Sequence, residues 1–455
     1  MPARRRRWFL LGDPQTTFAR VLDLLRRHQL LDGERLRPDV GLVSLGDHFD
    51  FHGDPIAVGL EGERVLSWLA SHAPEQAVIL AGNHDLARVM EFAAIDDAAF
   101  AEARALALED PAAQGFRTRY GDLPPPGVIA GDFHSFTASQ RARVSALLRA
   151  GRMRLAARAL REDGTELLLT HAGVTARELA LLGEPRGAGE IAAALNGALD
   201  RALAAWREGE ALSLAPLHRA GALGVEGGGL LYHRPAHRAE GDDAAWDARS
   251  PRRFDPRALP VGLAQACGHT GHAKCRALLW ASMTDEARGV ARGGLRTLSV
   301  RGGEVRYAMG LEAHAEGAAT LYLLDADLSR GVEDATLMEV AEVCTRGGRS
   351  GAPTPRPPAR PGSSPNTVAQ RVARAAAMIQ LVEVAASAQT PRRARPRARR
   401  SPGPSPGAPR AGHRVGPGAH LAPRRAPRRA PRRAPRRAPR RAPRRGPLQA
   451  RSPRQ

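Results

Sequence analysis

The sequence predicts an α/β fold in which two mixed β-sheets form a sandwich flanked by helices. Short apolar runs alternate with amphipathic stretches, and this alternation is the pattern of strands joined by helices. Five of the apolar runs end in a polar motif. Two turn motifs typical of hairpins add antiparallel strands to those that helices connect, which favours mixed sheets over purely parallel ones.

The five predicted strands are residues 8–11, 40–45, 77–80, 166–169 and 264–267. The motifs that follow them are Gly12-Asp13-Pro14-Gln15, Gly46-Asp47-His48-Phe49-Asp50, Gly82-Asn83-His84-Asp85, Thr170-His171-Ala172-Gly173 and Gly268-His269-Thr270-Gly271-His272. Open α/β folds bind their ligands beyond the ends of the strands. The donors gathered there are oxygen and nitrogen atoms without a thiolate, which indicates a site for hard or borderline divalent metals.

Helices and hairpins are predicted between these motifs. Apolar residues at helical spacing mark residues 18–25 and 65–69 as helices with a buried face. Residues 88–150 are rich in Ala and charge and predict an inserted helical segment. Asp163-Gly164 and Gly302-Gly303 each predict a hairpin turn.

The net charge divides the chain into two parts. The whole sequence carries a formal charge of +21, yet residues 351–455 contain 26 Arg, no Lys and a single acid, Glu383. The first 350 residues are therefore mildly acidic, with a net charge near −4. About 345 residues suffice for one α/β domain with insertions. We assign residues 1–345 to that domain and residues 346–455 to a disordered basic tail.

The tail is dominated by Pro, Arg and Ala and includes a tandem Pro-Arg-Arg-Ala repeat in residues 423–445. Such a segment cannot bury enough apolar surface to order itself. Residues 367–388 predict a short helix that either docks on another surface or stands alone. The Arg content predicts binding to a polyanion or nucleic acid, but it also matches the codon bias of a GC-rich genome, because only Lys274 among the 68 basic residues is Lys.

Three cysteines without metal-ligand spacing or a disulfide framework favour a cytoplasmic location. No apolar run approaches membrane-spanning length, so no membrane partner is expected.

In this order, the five motifs resemble those of the calcineurin-like metallophosphoesterase superfamily, and they look most like its phosphoprotein phosphatase and diadenosine tetraphosphatase branch. The resemblance covers roughly residues 8–330. It implies two divalent metal ions, with Mn expected first and Fe, Zn or Mg as alternatives. The implied ligands are Asp13 and Gln15 for the first metal, Asp47 as the bridge, and Asn83, His171 and His269 for the second.

The resemblance also implies the catalytic residues. His84 would protonate the leaving oxygen while a metal-bound hydroxide attacks phosphorus, and Asp50 would orient and charge the imidazole. A carboxylate partner raises the fraction of imidazolium near neutral pH, which suits a general acid. A simple surface ion pair is the other interpretation of the two residues.

The chain departs from the family pattern in two places. Gln15 stands where the family usually has His, and a neutral amide oxygen binds zinc or iron less well than imidazole does. His272 would either compensate as a ligand or be an ordinary loop residue. Phe51 stands where the protein phosphatases have a phosphate-binding Arg, and His52 would substitute for it only in part. Arg234, in Leu230-Leu231-Tyr232-His233-Arg234, matches the second phosphate-binding Arg of the family.

The sequence therefore predicts a binuclear metal-dependent phosphoesterase that hydrolyses phosphate esters or anhydrides, with a serine/threonine protein phosphatase as one form. A dinucleoside polyphosphate hydrolase is the alternative enzyme, and nucleic acid is a third substrate class that the acidic domain disfavours. A different alternative is a catalytically weakened phosphate-binding protein that its tail tethers to polyanions. Expected partners are a phosphoprotein or nucleotide substrate.

Overall fold

The computed structural model describes residues 6–109, 114–207, 209–238, 243–331, 335 and 337–344. These residues form a mixed α/β structure, so the predicted class is confirmed. The strands are β1 Arg7–Leu11, β2 Leu31–Asp32, β3 Arg35–Leu36, β4 Val40–Ser44, β5 Ala77–Leu80, β6 Met153–Arg154, β7 Ala156–Leu160, β8 Glu166–Thr170, β9 His218–Arg219, β10 Gly228–Gly229, β11 Arg234–Pro235, β12 Arg253–Phe254, β13 Ala264–Cys267, β14 Arg296–Arg301, β15 Glu304–Met309, β16 Ala319–Leu323, β17 Met338–Val340 and β18 Glu342–Cys344.

The helices are α1 Phe18–Arg27, α2 Pro55–Ala70, α3 Asn83–Ala87, α4 Asp97–Glu109, α5 Gln114–Arg119, α6 Pro126–Gly131, α7 Ala138–Arg149, α8 Ala176–Leu181, α9 Gly187–Ala205, α10 His272–Leu279 and α11 Asp285–Gly289. Their starts follow local sequence rules. The hydroxyl of Thr17 accepts a hydrogen bond from the Arg20 N–H at the start of α1. Asp54 caps α2 in the same way, and Pro55 fills its first position.

Two large mixed sheets contain the five predicted strands. The five-stranded sheet has the order β17-β1-β4-β5-β6, in which only β17 is antiparallel to its neighbour. The seven-stranded sheet has the order β15-β14-β16-β13-β8-β7-β18, in which β16, β13 and β8 are parallel. Because β1, β4 and β5 are neighbours in one sheet and β8 and β13 in the other, the motifs that follow them meet at the strand ends.

One buried cluster contains residues from both sheets. It includes Leu10 and Val43 of the five-stranded sheet together with Leu167, Leu169 and Ala266 of the seven-stranded sheet. Alternate residues of the first sheet, such as Phe9 and Leu42, pack in a second cluster with α1 and α2. Side chains alternate between the faces of a strand, so each of these strands is buried on both sides.

Both predicted hairpins are confirmed. The strands β7 and β8 pair antiparallel around Asp163-Gly164, and β14 pairs with β15 around Gly302-Gly303. Gly302 and Gly303 have φ values of 56° and 83°, which is the pair of positive angles that a two-residue hairpin turn needs.

The segment between β5 and β6 contains the helices α4 to α7, as expected for residues 88–150. Its aromatic side chains, including Phe92, Phe100 and Phe133, form a separate cluster. The helix α6 begins at Pro126. The predicted tail, residues 346–455, and its short helix, residues 367–388, lie outside the described residues. Among the described residues, none of the helices has both the length and the apolarity that crossing a membrane requires.

Candidate metal and catalytic site

Three of the predicted ligands converge where the two sheets end. Asp47, His171 and His269 are all buried, and each offers one donor atom within 4.8 Å of the donors of the other two. His171 Nε2 lies 3.3 Å from Asp47 Oδ2 and 3.0 Å from Asn83 Oδ1. The structure therefore brings together residues that are far apart in the sequence.

The loops that hold these residues adopt uncommon backbone angles. Asp47, Asp50 and His269 have φ values of 57°, 66° and 63°, in the left-handed region that few residues other than glycine adopt. Gly82 packs so closely on this site that a Cβ there would lie 2.1 Å from Asp47 Oδ1. A Cβ on Gly268 would lie 1.9 Å from Asp13 Oδ1. Such backbone angles cluster at functional sites, which agrees with the position of these residues.

Hydrogen bonds fix the orientation of both imidazoles. A carbonyl only accepts, so His171 Nδ1 donates to Leu45 O at 2.9 Å and His269 Nε2 donates to Tyr232 O at 3.0 Å. The second nitrogen of each ring, Nε2 of His171 and Nδ1 of His269, then has a lone pair for a metal. Metal-ligating histidines in proteins are usually held by such a hydrogen bond to a carbonyl or carboxylate.

Negative charge is concentrated around the same point. Burial and the neighbouring carboxylate of Asp325 raise the pKa of Asp13 well above its usual value. Burial by itself would lower the pKa of His171. The carboxylates of Asp47 and Asp13 have the larger, opposite effect, and together the contributions raise this pKa to about 9. The site therefore favours a bound positive charge, and either a proton or a metal ion supplies one.

Asp325 belongs to this group and was not among the predicted residues. It follows β16 as the other acids follow their strands, and it lines the same cavity as Asp13, Gln15 and His269. Burial raises its pKa above the usual value. The sequence feature that marks Asp325 is the apolar run of β16, which is followed by this carboxylate.

Gln15 is oriented in a way that suits an amide ligand. Its Nε2 donates to Phe49 O at 2.9 Å. Among the described residues, its oxygen has no hydrogen-bond donor, and Gln15 borders the cavity. Asp13 accepts a hydrogen bond from the His269 N–H at 2.9 Å, which connects the first motif to the fifth.

The predicted pair of His84 and Asp50 forms beside this group. His84 Nδ1 lies 3.0 Å from Asp50 Oδ2, and His84 Nε2 lies 3.9 Å from Asp47 Oδ2. Burial by itself would lower the pKa of His84. The carboxylates of Asp47 and Asp50 have the larger, opposite effect, and together the contributions raise this pKa to about 9. The two carboxylates therefore favour the protonated form of the imidazole, which is the form that a proton donor needs. Since His84 is mostly buried, a surface ion pair does not describe it.

Asp50 is held by residues that the sequence did not indicate. It accepts hydrogen bonds from Arg88 Nη1 at 2.6 Å and from the N–H groups of His134 and Ser135 at 2.8 Å each. Arg88 is fully buried and also donates to the His84 carbonyl. Burial raises the pKa of Asp50, but Arg88 and His84 lower it to well below the usual range.

Replacing Arg88 with Met is expected to destabilise the protein by about 3 kcal/mol, because the change removes the guanidinium partner of the buried Asp50 carboxylate and leaves it only the His84 imidazole. Urea unfolding of the variant and the wild-type protein measures this difference. Arg64→Met is the matched control, since Arg64 is exposed and its pair with Glu61 contributes at most about 1 kcal/mol. Equal stability of the two variants would contradict the assignment of Arg88 as the support of Asp50.

Asp85 connects two of the motif loops. Its carboxylate accepts hydrogen bonds from the N–H groups of Asp47 at 2.9 Å, His48 at 3.1 Å and Gly82 at 2.8 Å. The His48 ring packs against the same carboxylate at 3.0 Å. The loops after β4 and β5 are therefore fixed to one another without help from a ligand.

The structure does not bring His272 into the group of ligands. Its Nδ1 lies 2.8 Å from the Tyr307 hydroxyl, and its Nε2 lies 3.0 Å from Val290 O. Both ring nitrogens are thus occupied, because helix α10 starts at His272 and turns the ring toward β15. The arrangement does not support the expectation that His272 compensates for Gln15. His52 is exposed at the mouth of the cavity, where its ring contacts His134.

A cavity of about 270 Å³ opens onto these residues. Asp13, Asp50 and His269 line it, and so does Arg234. Burial and Arg234 lower the pKa of His269 well below its usual value, which keeps the ring neutral as a metal ligand must be. Comparison with known proteins finds no matching family model and no significantly similar curated protein. A function for this protein therefore has to be inferred from the side chains that line the cavity.

Proposed function

We propose that this protein is a phosphoesterase of the calcineurin-like type that uses two divalent metal ions. The observation that carries the proposal is the buried group of Asp47, His171 and His269, in which both imidazoles are anchored to carbonyls. The proton donor pair of His84 and Asp50 lies next to this group. Metal ligands beside a protonated imidazole suit the hydrolysis of phosphate esters or anhydrides.

The residues present fit a pair of metals. Asp47 would hold both ions, Asp13 and Gln15 would complete the first site, and Asn83, His171 and His269 the second. All donors are oxygen or nitrogen atoms, and Cys267, although near Asp13, has a pKa that burial raises well above its usual value. Bound ions would neutralise charge on the phosphoryl group and lower the pKa of a water molecule.

The remaining steps belong to side chains of this chain. His84 would give its proton to the departing oxygen, and Asp50 would keep the ring oriented and charged. Arg234 would bind a phosphoryl oxygen, since it is the half-buried cation beside His269. Phe51 cannot bind phosphate, so one of the two arginine contacts expected of a protein phosphatase is missing.

The alternative is a phosphate-binding protein that has lost turnover through Gln15 and Phe51. Hydrolysis of p-nitrophenyl phosphate in the presence of Mn²⁺ separates the two. Metal-dependent turnover that Asp47→Asn abolishes would support the enzyme. Tight phosphate binding without turnover would instead favour the binding protein.

Mn²⁺ is expected to restore more activity to chelator-treated protein than Zn²⁺ does, because Gln15 offers a hard amide oxygen where zinc prefers imidazole. The measurement is turnover of p-nitrophenyl phosphate after each metal is added in equal amounts. Gln15→His is the informative variant, since it should shift the preference toward Zn²⁺. Equal recovery with the two metals in the wild-type protein would count against the role of Gln15.

Deleting residues 351–455 is expected to leave hydrolysis of p-nitrophenyl phosphate unchanged while it abolishes retention on heparin. The deletion removes 26 Arg and leaves a mildly acidic protein. Retention of the full chain should fall steeply with salt, because Arg–phosphate or Arg–sulfate contacts release counterions. Lost turnover in a soluble, folded deletion variant would show that part of this segment belongs to the catalytic domain.

A further inference from the structure

The cavity is lined by cations as well as by carboxylates. Arg234, Lys274 and Arg292 all line it. Within the part of the chain that the structure describes, none of these three side chains makes a hydrogen bond or an ion pair. Arg330 also lines the cavity, but it is paired with Asp327 at 2.8 Å. The three unpaired cations face a space large enough for a ligand.

Arg234 carries a buried hydrogen-bond donor that lacks an acceptor. Its Nε atom is buried and has no hydrogen-bond partner among the described residues. A buried donor without a partner destabilises a protein unless a ligand or water satisfies it. An anion in the cavity would supply that acceptor.

Lys274 stands where helix physics disfavours a cation. It lies in the first turn of α10, where the cap residue Gly271 provides no side-chain hydrogen bond and no residue of the turn is acidic. A carboxylate does lie nearby, that of Asp325, whose Oδ2 would be 3.1 Å from a Cβ on Gly271. The positive end of a helix dipole repels a lysine and attracts an anion. Lys274 is also the only lysine among the 68 lysine and arginine residues of the chain. Its flexible ammonium group differs from the arginines that the chain uses elsewhere.

Among the described residues, the cavity lining contains more cations without an ion pair than the one arginine assigned to a single phosphoryl group. The metal-facing residues and Arg234 already account for one phosphate, and Lys274 and Arg292 remain. The volume of about 270 Å³ is close to the lower end of small-molecule sites, about 300 to 1,000 Å³. A compact polyanion suits such a space better than an extended peptide does.

We propose that Lys274 and Arg292, together with Arg234, form an anion subsite that binds a second phosphoryl group of the substrate. The substrate class is then a small molecule with linked phosphates, rather than a phosphorylated protein side chain. This assignment of substrate rests on the proposed phosphoesterase function. The subsite itself does not depend on turnover, so it is tested without it.

The single lysine allows a site-specific test in the full chain. Acetylation with an N-hydroxysuccinimide ester, in a chelating buffer without divalent metal, labels only Lys274 and the α-amino group. Mass spectrometry follows both, and added Nα-acetyl-lysine is the reference, because Arg4 to Arg7 beside the α-amino group also attract anions. Inorganic tripolyphosphate and orthophosphate are added at equal concentrations. The Arg-rich residues 351–455 also attract these anions, but they contain no lysine and add nothing to the signal.

Tripolyphosphate at ten times its dissociation constant is expected to slow acetylation of Lys274 about tenfold, while orthophosphate has little effect and acetylation of Nα-acetyl-lysine is unchanged. Arg292→Ala should weaken this protection severalfold. Arg276→Ala, which removes a charge from the same helix outside the cavity, should retain it. An unprotected Lys274, equal protection by the two anions, or equal loss in both variants would overturn the subsite. Absent hydrolysis of p-nitrophenyl phosphate with protection intact would overturn the proposed function instead.

Discussion

Replacing Asp47 with Asn is expected to abolish hydrolysis and to remove bound metal. Asp47 is proposed as the ligand that both ions share, and its Oδ2 is 3.3 Å from Nε2 of His171, which is assigned to the second ion. The amide has the same shape but cannot neutralise two cations. Losing several kcal/mol of charge stabilisation lowers turnover by on the order of 10³-fold.

Metal content by plasma mass spectrometry and turnover of p-nitrophenyl phosphate measure the effect of Asp47→Asn. Asp285→Asn is the matched control, because it makes the same chemical change at a fully exposed carboxylate. Circular dichroism of both variants checks that they are folded. A folded Asp47→Asn protein with full metal content would contradict the bridging role.

Replacing His84 with Gln is expected to lower turnover by about 10²–10⁴-fold while metal content stays the same. The ring is held by Asp50 at 3.0 Å, and its assigned task is to donate a proton. General acid catalysis matters more for a poor leaving group than for a good one. The variant should therefore lose more activity toward phenyl phosphate than toward p-nitrophenyl phosphate.

His314→Gln is the control for this change, because His314 contacts Thr320 and does not line the cavity. Equal losses of His84→Gln on the two substrates would show that His84 does not donate the proton. A loss of metal in His84→Gln would show that it is a ligand.

The five central strands were predictable because each is an apolar run that ends in a polar loop, and both signals are local. The hairpins were predictable for the same reason, since Gly302-Gly303 and Asp163-Gly164 specify their turns. The edge strands β17 and β18 were not. They are only three residues long, and they pair with β1 and β7, which lie far away in the sequence.

The predicted ligands Asp47, His171 and His269 meet in space, with the pair of His84 and Asp50 beside them, because parallel neighbours end at the same edge of a sheet. Arg88 escaped prediction because its role depends on burial against Asp50, which no spacing along the chain reveals. Asp325 escaped because its loop, Asp325-Ala326-Asp327, lacks the glycine that each of the five motifs contains. The place of His272 in the sequence, just after the fifth motif, does not reveal where its ring lies. The ring position depends on the start of α10 and on the hydrogen bond with the Tyr307 hydroxyl.

Titration of Mn²⁺ into chelator-treated protein, followed by electron paramagnetic resonance, tests the central claim most directly. Two adjacent Mn²⁺ ions that share a carboxylate give a spin-coupled signal, whereas separate ions do not. The proposed centre predicts that two equivalents bind, that the coupled signal appears with the second, and that turnover of p-nitrophenyl phosphate rises with it. Asp47→Asn should lose that signal. Full turnover with no bound metal, or binding of only uncoupled ions, would contradict a binuclear centre at Asp47, His171 and His269.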